Sequence, residues 1–306
     1  MTNHDCNLYF YDAINSHGPF WHFCTPGTSQ QILFTNQEEY QVGMCLVALC
    51  AHMFPQTRIV TFELMSNHVH FILWGQESNC IHFFDTLKQL FKDYFKRNRP
   101  EISLDSFNAS PIAIPDLDAI RTQIVYTNRN NYVVDPSQTP FSYPYGANGF
   151  YFSPVAKSFH DCLFSDLTVR QKRRMFHRHD VRLPDDYKVI DNYISPESFC
   201  WISSGEKLFR DARQYFNKLA KGVESYKEIA ELLGDTVFYT DDELISVIYG
   251  ICAKQHNGQK PTLLGRKEKM DLARMLHFDY NADNAKISRL INLPKGVIQE
   301  LFPFGK

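Results

Sequence analysis

No stretch of this chain approaches the ~18–20 consecutive apolar residues that a membrane helix needs. Its opening, Met1-Thr2-Asn3-His4-Asp5-Cys6, is polar and acidic, where a secretory signal is basic and then apolar. The chain is therefore read as cytoplasmic, with no membrane partner. Glycine and proline are scarce, 14 and 15 of 306 residues, which excludes collagen-like and low-complexity classes. The eight cysteines, Cys6, Cys24, Cys45, Cys50, Cys80, Cys162, Cys200 and Cys252, form no Cys-x-x-Cys pair. Most have apolar neighbours, so they read as buried thiols rather than as a zinc ribbon or a disulfide framework. Net charge is nearly absent: 32 Lys and Arg stand against 34 Asp and Glu, a formal −2. A protein that holds nucleic acid by bulk positive charge is excluded, and any such site must come from local patches.

What is present is globular: 44% hydrophobic and 22% charged residues. At ~150 residues per domain the length fits two domains. Three segments are locally basic, residues 88–99, 170–182 and 254–274, and each also fits a solvated helix face. In the first half, strand-like and helix-like runs alternate. Phe20 to Thr25 is aromatic and strand-like, ending at Pro26-Gly27, and Gln31 to Phe34 is a short second piece. Thr35 and Glu38 form a capping box that opens a helix ending near Phe54-Pro55. Arg58–Leu64 and His68–Trp74 are two β-rich runs joined by Met65-Ser66-Asn67, hence antiparallel neighbours. Residues 80–97 are an amphipathic helix, 100–115 a loop, and Asp116 caps a helix reaching Asn130-Asn131. After residue 156 the β signals fade. The expected architecture is α+β: an antiparallel sheet backed by helices over 1–155, a connector over 156–205, and an all-α region over 206–306.

The strongest local signal is His68-Val69-His70 on a strand. Side chains at i and i+2 share a face, so the two imidazoles project together as a natural pair of divalent-metal ligands. Taken alone, the pair also fits two polar residues on a half-exposed sheet. Tyr126 and Asn130, four apart on a helix, stack on one face. A tyrosine beside a metal reads as a nucleophile for phosphodiesters, although its pKa near 10 makes it weak unaided. Asn130 could add an oxygen ligand.

The stretch Phe62-Glu63-Leu64-Met65-Ser66-Asn67-His68-Val69-His70-Phe71-Ile72-Leu73 resembles the M-P-N-H-V-H strand of REP-associated tyrosine transposases, the single-tyrosine branch of the HUH nucleases. Tyr126-Thr127-Asn128-Arg129-Asn130 resembles that family's tyrosine helix, and Trp21-His22-Phe23 its opening. The likeness covers about residues 15–150. Ser66 stands where that family has proline, and Asn130-Asn131-Tyr132-Val133-Val134-Asp135 departs from its Asn-Pro-Val-Arg-Ala-Gly.

The resemblance implies an HUH, ferredoxin-like core. It also implies metal-dependent cleavage and strand transfer of single-stranded, hairpin-forming DNA through a 5′-phosphotyrosine. His68, His70 and Asn130 would hold magnesium or manganese, Tyr126 would attack phosphorus, and no nucleotide cofactor is needed. Glu63 is read as a plain edge residue or a group behind the ligands. Lys88, Lys92, Arg121 and Arg129 are candidates for phosphate contact. In the tail, Ala285–Ile291, a turn at Asn292-Leu293 and a helix opening at Pro294 read as a helix-turn-helix with Lys295 and Gln299 outward. The site is completed within one chain or between two copies of a homodimer. Two rivals stay open: a non-catalytic DNA-binding regulator on a degenerate transposase scaffold, and a metal hydrolase in which water attacks and Tyr126 is structural.

Overall fold

Caps and breakers divide the first half of the chain as follows: α1 (Asn3–His17), β1 (Phe20–Cys24), α2 (Gln37–Met53), β2 (Arg58–Leu64), β3 (Val69–Trp74), α3 (Glu77–Asn98), β4 (Ile112–Ile114) and α4 (Leu117–Thr127). This computed structural model describes residues 1–25, 32–129, 143–221, 241–256, 258–280 and 282–303. The Asp116 carboxylate accepts the Ala119 N–H at 2.8 Å and starts α4 as expected. At α2 the cap is Asn36, which accepts from the Glu39 N–H at 3.0 Å. Thr35 instead gives its N–H and hydroxyl to the Glu39 carboxylate, at 2.7 and 2.8 Å, so the expected Thr35–Glu38 box is displaced by one residue. Two elements were unforeseen. α1 opens on a box between Thr2 and Asp5, and β4 lies in the expected loop. Leu33 and Phe34 form no strand; their N–H groups bond the Ser66 carbonyl at 2.7 and 2.9 Å, and Gln31 lies outside the described residues.

The chain is α+β. Its main sheet is antiparallel throughout, in the order β2-β3-β1-β4. Cys24 faces His70 across β1–β3, and Phe62 faces Phe71 across β2–β3. Both faces of the sheet are covered, so β3 reads Val-His-Phe-Ile-Leu-Trp and is buried at every position. On one face Phe23 stacks on Phe84 and Phe71 meets Phe83 edge-on, centroids 5.6 and 5.8 Å apart, which seats α3 with α2 beside it. On the other face Phe10 of α1 stacks on Phe20 at 5.7 Å, and α4 lies alongside.

The outer edge of β2 is not bare. Val60 and Phe62 carbonyls accept from the Tyr151 hydroxyl (2.9 Å) and the Ala147 N–H (3.0 Å). The Ile59 carbonyl accepts the Trp201 N–H at 2.7 Å, and the Leu64 N–H donates to Tyr145 at 2.9 Å.

The expected connector is corrected. Residues 156–205 hold α5 (Pro154–Ser158), β5 (Cys162–Leu163), α6 (Val169–Phe176), β6 (Lys188–Ile190), β7 (Tyr193–Ile194) and α7 (Ile202–Glu206), with β5-β6-β7 a small antiparallel sheet. Phe164, Phe176, Val189, Ile194 and Ile202 belong to the same core as the main sheet. That core continues to Tyr215 and Leu219 of α8 (Ala212–Lys221). Part of the helix expected over 206–234 falls on residues 222–240, outside the described residues. Beyond them, the described chain is helical: α9 (Asp241–Gln255), α10 (Arg266–Phe278), α11 (Asn284–Ile291) and α12 (Lys295–Leu301). These bury a second core of Leu244, Leu272, Leu276, Ile287, Ile291 and Ile298, to which Met65 from the β2–β3 turn contributes. Among the described residues no helix is long and apolar enough to cross a membrane.

Gly205 lets α7 lie against β2. A Cβ there would sit 2.3 Å from the Tyr151 hydroxyl oxygen and 3.0 Å from Val60 Cγ1. Gly205→Ala is expected to cost about 1–3 kcal/mol by urea denaturation, as overpacking does. Added to Tyr151→Phe, which removes the clashing oxygen, it should cost clearly less than the sum of the single variants. Simple additivity would show that the contact is not the cause.

Candidate functional site

Alternation along the strands sends Phe23 and Phe71 to one face of the sheet and the imidazoles to the other. Phe23 and Phe71 point to α3. His22, Cys24 and His70, one position away, point to the α4 side. His68 ends the turn just before β3, and its ring centroid is 4.9 Å from that of His70. Tyr126 lies in the last turn of α4, with its ring edge-on to His70 at 5.5 Å and to His22 at 6.3 Å. The strand and helix that carry the two sequence signals are thus in contact. Glu63, opposite His70 on β2, is fully buried on this face and is no exposed edge residue.

Buried imidazoles need partners. His68 Nδ1 lies 2.7 Å from Asn67 Oδ1. His70 Nδ1 lies 3.3 Å from His22 Nε2, and its Nε2 lies 3.8 Å from Cys24 Sγ. The tyrosine helix is held by its own buried polar groups. Asn128, its C-cap, accepts the Thr61 hydroxyl and donates its amide to the Tyr215 hydroxyl at 2.9 Å. Burial pushes the Tyr215 phenol well above the usual tyrosine range.

Arg121 is corrected as a DNA contact. It is 2% exposed, donates Nε–H to the Leu208 carbonyl at 2.6 Å, and sits 3.5 Å from Asp118. It ties α4 to the chain ahead of α8. Arg129 is also buried, to the same degree as His68 and Tyr126. Lys88 and Lys92 do not flank the site, because α3 lies on the opposite face of the sheet; Lys88 donates to Asn108 Oδ1 at 2.6 Å. Asn130 lies outside the described residues, and α4 ends at Thr127 with Asn128 as its C-cap. Lys295 and Gln299 are exposed on α12, and Pro294 is its N-cap rather than its first residue.

Sequence reasoning passed over His22, Cys24 and Asn128 as parts of the site. The signal for the first two was their even spacing in Trp-His-Phe-Cys, which becomes informative only once β1 is known to pair with β3. Among the described residues, no three or more His, Cys, Asp or Glu side chains form a group arranged to hold a metal. The site is also buried. His68 and Tyr126 are each 2% exposed.

Asn128→Ala should leave the Tyr215 hydroxyl without its amide donor and remove the Asn128 acceptor from Thr61, at about 1–3 kcal/mol in urea denaturation; a loss below that range would mean that the helix end is held by other contacts. A second expectation concerns alkali. Burial raises Tyr94 from 10.0 to about 12, and Tyr151, Tyr193 and Tyr215 also rise. Above the unfolded value the folded chain keeps protons that the unfolded chain releases. Stability is therefore complete below pH 10 and falls as pH climbs from 10 toward 12. The urea midpoint should drop between about pH 9 and about pH 11; a flat midpoint would contradict this.

No family model, no curated protein and no solved structure matches this chain.

Proposed function

We propose that this chain is a tyrosine-dependent DNA-breaking and DNA-joining enzyme acting on single-stranded, hairpin-forming DNA, with His68, His70 and Tyr126 as its reacting centre. The observation that carries this reading is the contact between Tyr126 and His70, centroids 5.5 Å apart, from a helix and a strand 56 residues apart in the chain. The antiparallel strand order β2-β3-β1-β4 with intervening helices is compatible with the ferredoxin-like core that the family resemblance implies, which supports the reading.

The donor chemistry fits a divalent ion as a two-nitrogen half-site. Asn67 Oδ1 can only accept, so it holds a proton on His68 Nδ1 and leaves Nε2 with its lone pair. Two imidazoles favour manganese over magnesium, which prefers oxygen ligands. Asn130 is the oxygen donor proposed to accompany them. Magnesium or manganese, when bound, supplies charge neutralisation and orientation at the phosphate.

The chain's own part is positional. Asn128 and Arg121 fix α4, and so the phenol, over the imidazoles. The Tyr126 hydroxyl gives up its proton as its oxygen bonds to phosphorus and the bond from phosphorus to the 3′ oxygen breaks. The departing oxygen takes a proton, and the 5′ phosphate stays on the tyrosine. Attack by another 3′-hydroxyl reverses these bonds and rejoins DNA. The ester energy is kept throughout, so no nucleotide is consumed. The exposed face of α11 and α12, with Lys295 and Gln299, is proposed to grip duplex DNA as a helix-turn-helix.

Burial of His68, His70 and Tyr126 favours one rival, a DNA binder that retains these residues as core. A hairpin oligonucleotide with manganese separates the two. The enzyme should yield a denaturation-resistant protein–DNA adduct that Tyr126→Phe abolishes with binding nearly unchanged. An adduct that survives in Tyr126→Phe would overturn the nucleophile. A wild-type chain that shifts the hairpin but never cuts it would establish the binder.

A further inference from the structure

We infer that His22 is a positioning residue, which fixes the tautomer of His70 and so turns the Nε2 lone pair of that ring toward the ligand. This rests on the proposed metal half-site and extends it to a residue on a different strand.

The geometry is that of one hydrogen bond. The two rings are nearly parallel, at 6°, with centroids 5.5 Å apart and the nearest nitrogens 3.3 Å apart. The 2.2 Å difference is taken up by the two ring radii, so His22 Nε2 and His70 Nδ1 point almost directly at each other. Their lone-pair directions coincide, which leaves no place for an ion between them and room for a single shared proton. Both residues are fully buried, so water does not compete for that proton.

The other nitrogen of His70 faces Cys24. Its Nε2 lies 3.8 Å from Cys24 Sγ, and that thiol donates to the Thr25 carbonyl at 3.3 Å. If His70 ligates at all, it does so through Nε2, and Nδ1 must then carry the proton that His22 accepts. The arrangement parallels His68, where Asn67 accepts the Nδ1 proton at 2.7 Å. Two partners from different elements thus leave both imidazoles with Nε2 as the donor atom. Hydrogen bonds of this kind from the far nitrogen orient metal-bound histidines and raise their basicity.

The test uses the full chain and two readouts. Long-range proton–nitrogen NMR of the metal-free protein should show His70 as the Nδ1–H tautomer in the wild type and a mixture in His22→Leu. Manganese affinity, read by electron paramagnetic resonance, should fall about 10–100-fold in His22→Leu. It should recover substantially in His22→Gln, whose carbonyl oxygen can accept the same proton; a merely space-filling His22 would give no such recovery. An Nε2–H His70 in the wild type, or His22→Leu with unchanged tautomer and unchanged manganese affinity, overturns the inference. A wild type that binds no manganese overturns the metal half-site instead, and the tautomer measurement still decides the role of His22. If His22→Leu fails to fold, the wild-type tautomer and the Gln variant decide it.

Discussion

The pairing of β1 with β3 is the constraint on which the rest depends. A strand sends successive side chains to opposite faces, and here both faces lie under helices. Polar groups on the α4 side are therefore committed to the interior, where each must find a partner or cost several kcal/mol. The register that sets Cys24 opposite His70 supplies those partners, because it brings His22 onto His70. A slip of one residue would turn the imidazole of β1 into the phenylalanine layer beneath α3. The aromatic stacks on that side, Phe23 on Phe84 and Phe71 against Phe83, thus set the position of the imidazoles on the other side.

The tyrosine helix obeys the same economy of buried polar groups. Arg121 reaches the Leu208 carbonyl, and Asn128 joins Thr61 to Tyr215. These ties fix the rotation of α4 about its axis, which apolar packing alone leaves loose. A cation that resembles a phosphate contact in the sequence is spent inside the molecule.

What could be read from the sequence follows from this. The His-x-His pair needed only strand parity, and the α3 face and the Asp116 cap needed only local periodicity. Each is a property of neighbours in the chain. His22 could not be recognised, because its meaning lies in a partner 48 residues away. Arg121 was misread for a like reason: its acceptor is 87 residues distant, and nothing local distinguishes a cation turned inward. β5, β6 and β7 are two or three residues long, too short to show a period of two. β4 shows only Ile-Ala-Ile with two exposed positions, so it carries no alternation to detect. α1 buries just Cys6, Phe10 and Ala13, a thin stripe in a polar segment.

The covered margin of β2 has a consequence for how copies of this chain can assemble. Tyr145, Ala147, Tyr151 and Trp201 already occupy hydrogen-bonding groups that a neighbouring strand would use. Growth of the main sheet from one molecule into another is blocked there, and the opposite margin, β4, offers three residues. Two copies would have to join through helices or loops, and each would keep its own imidazole layer sealed within its own sheet.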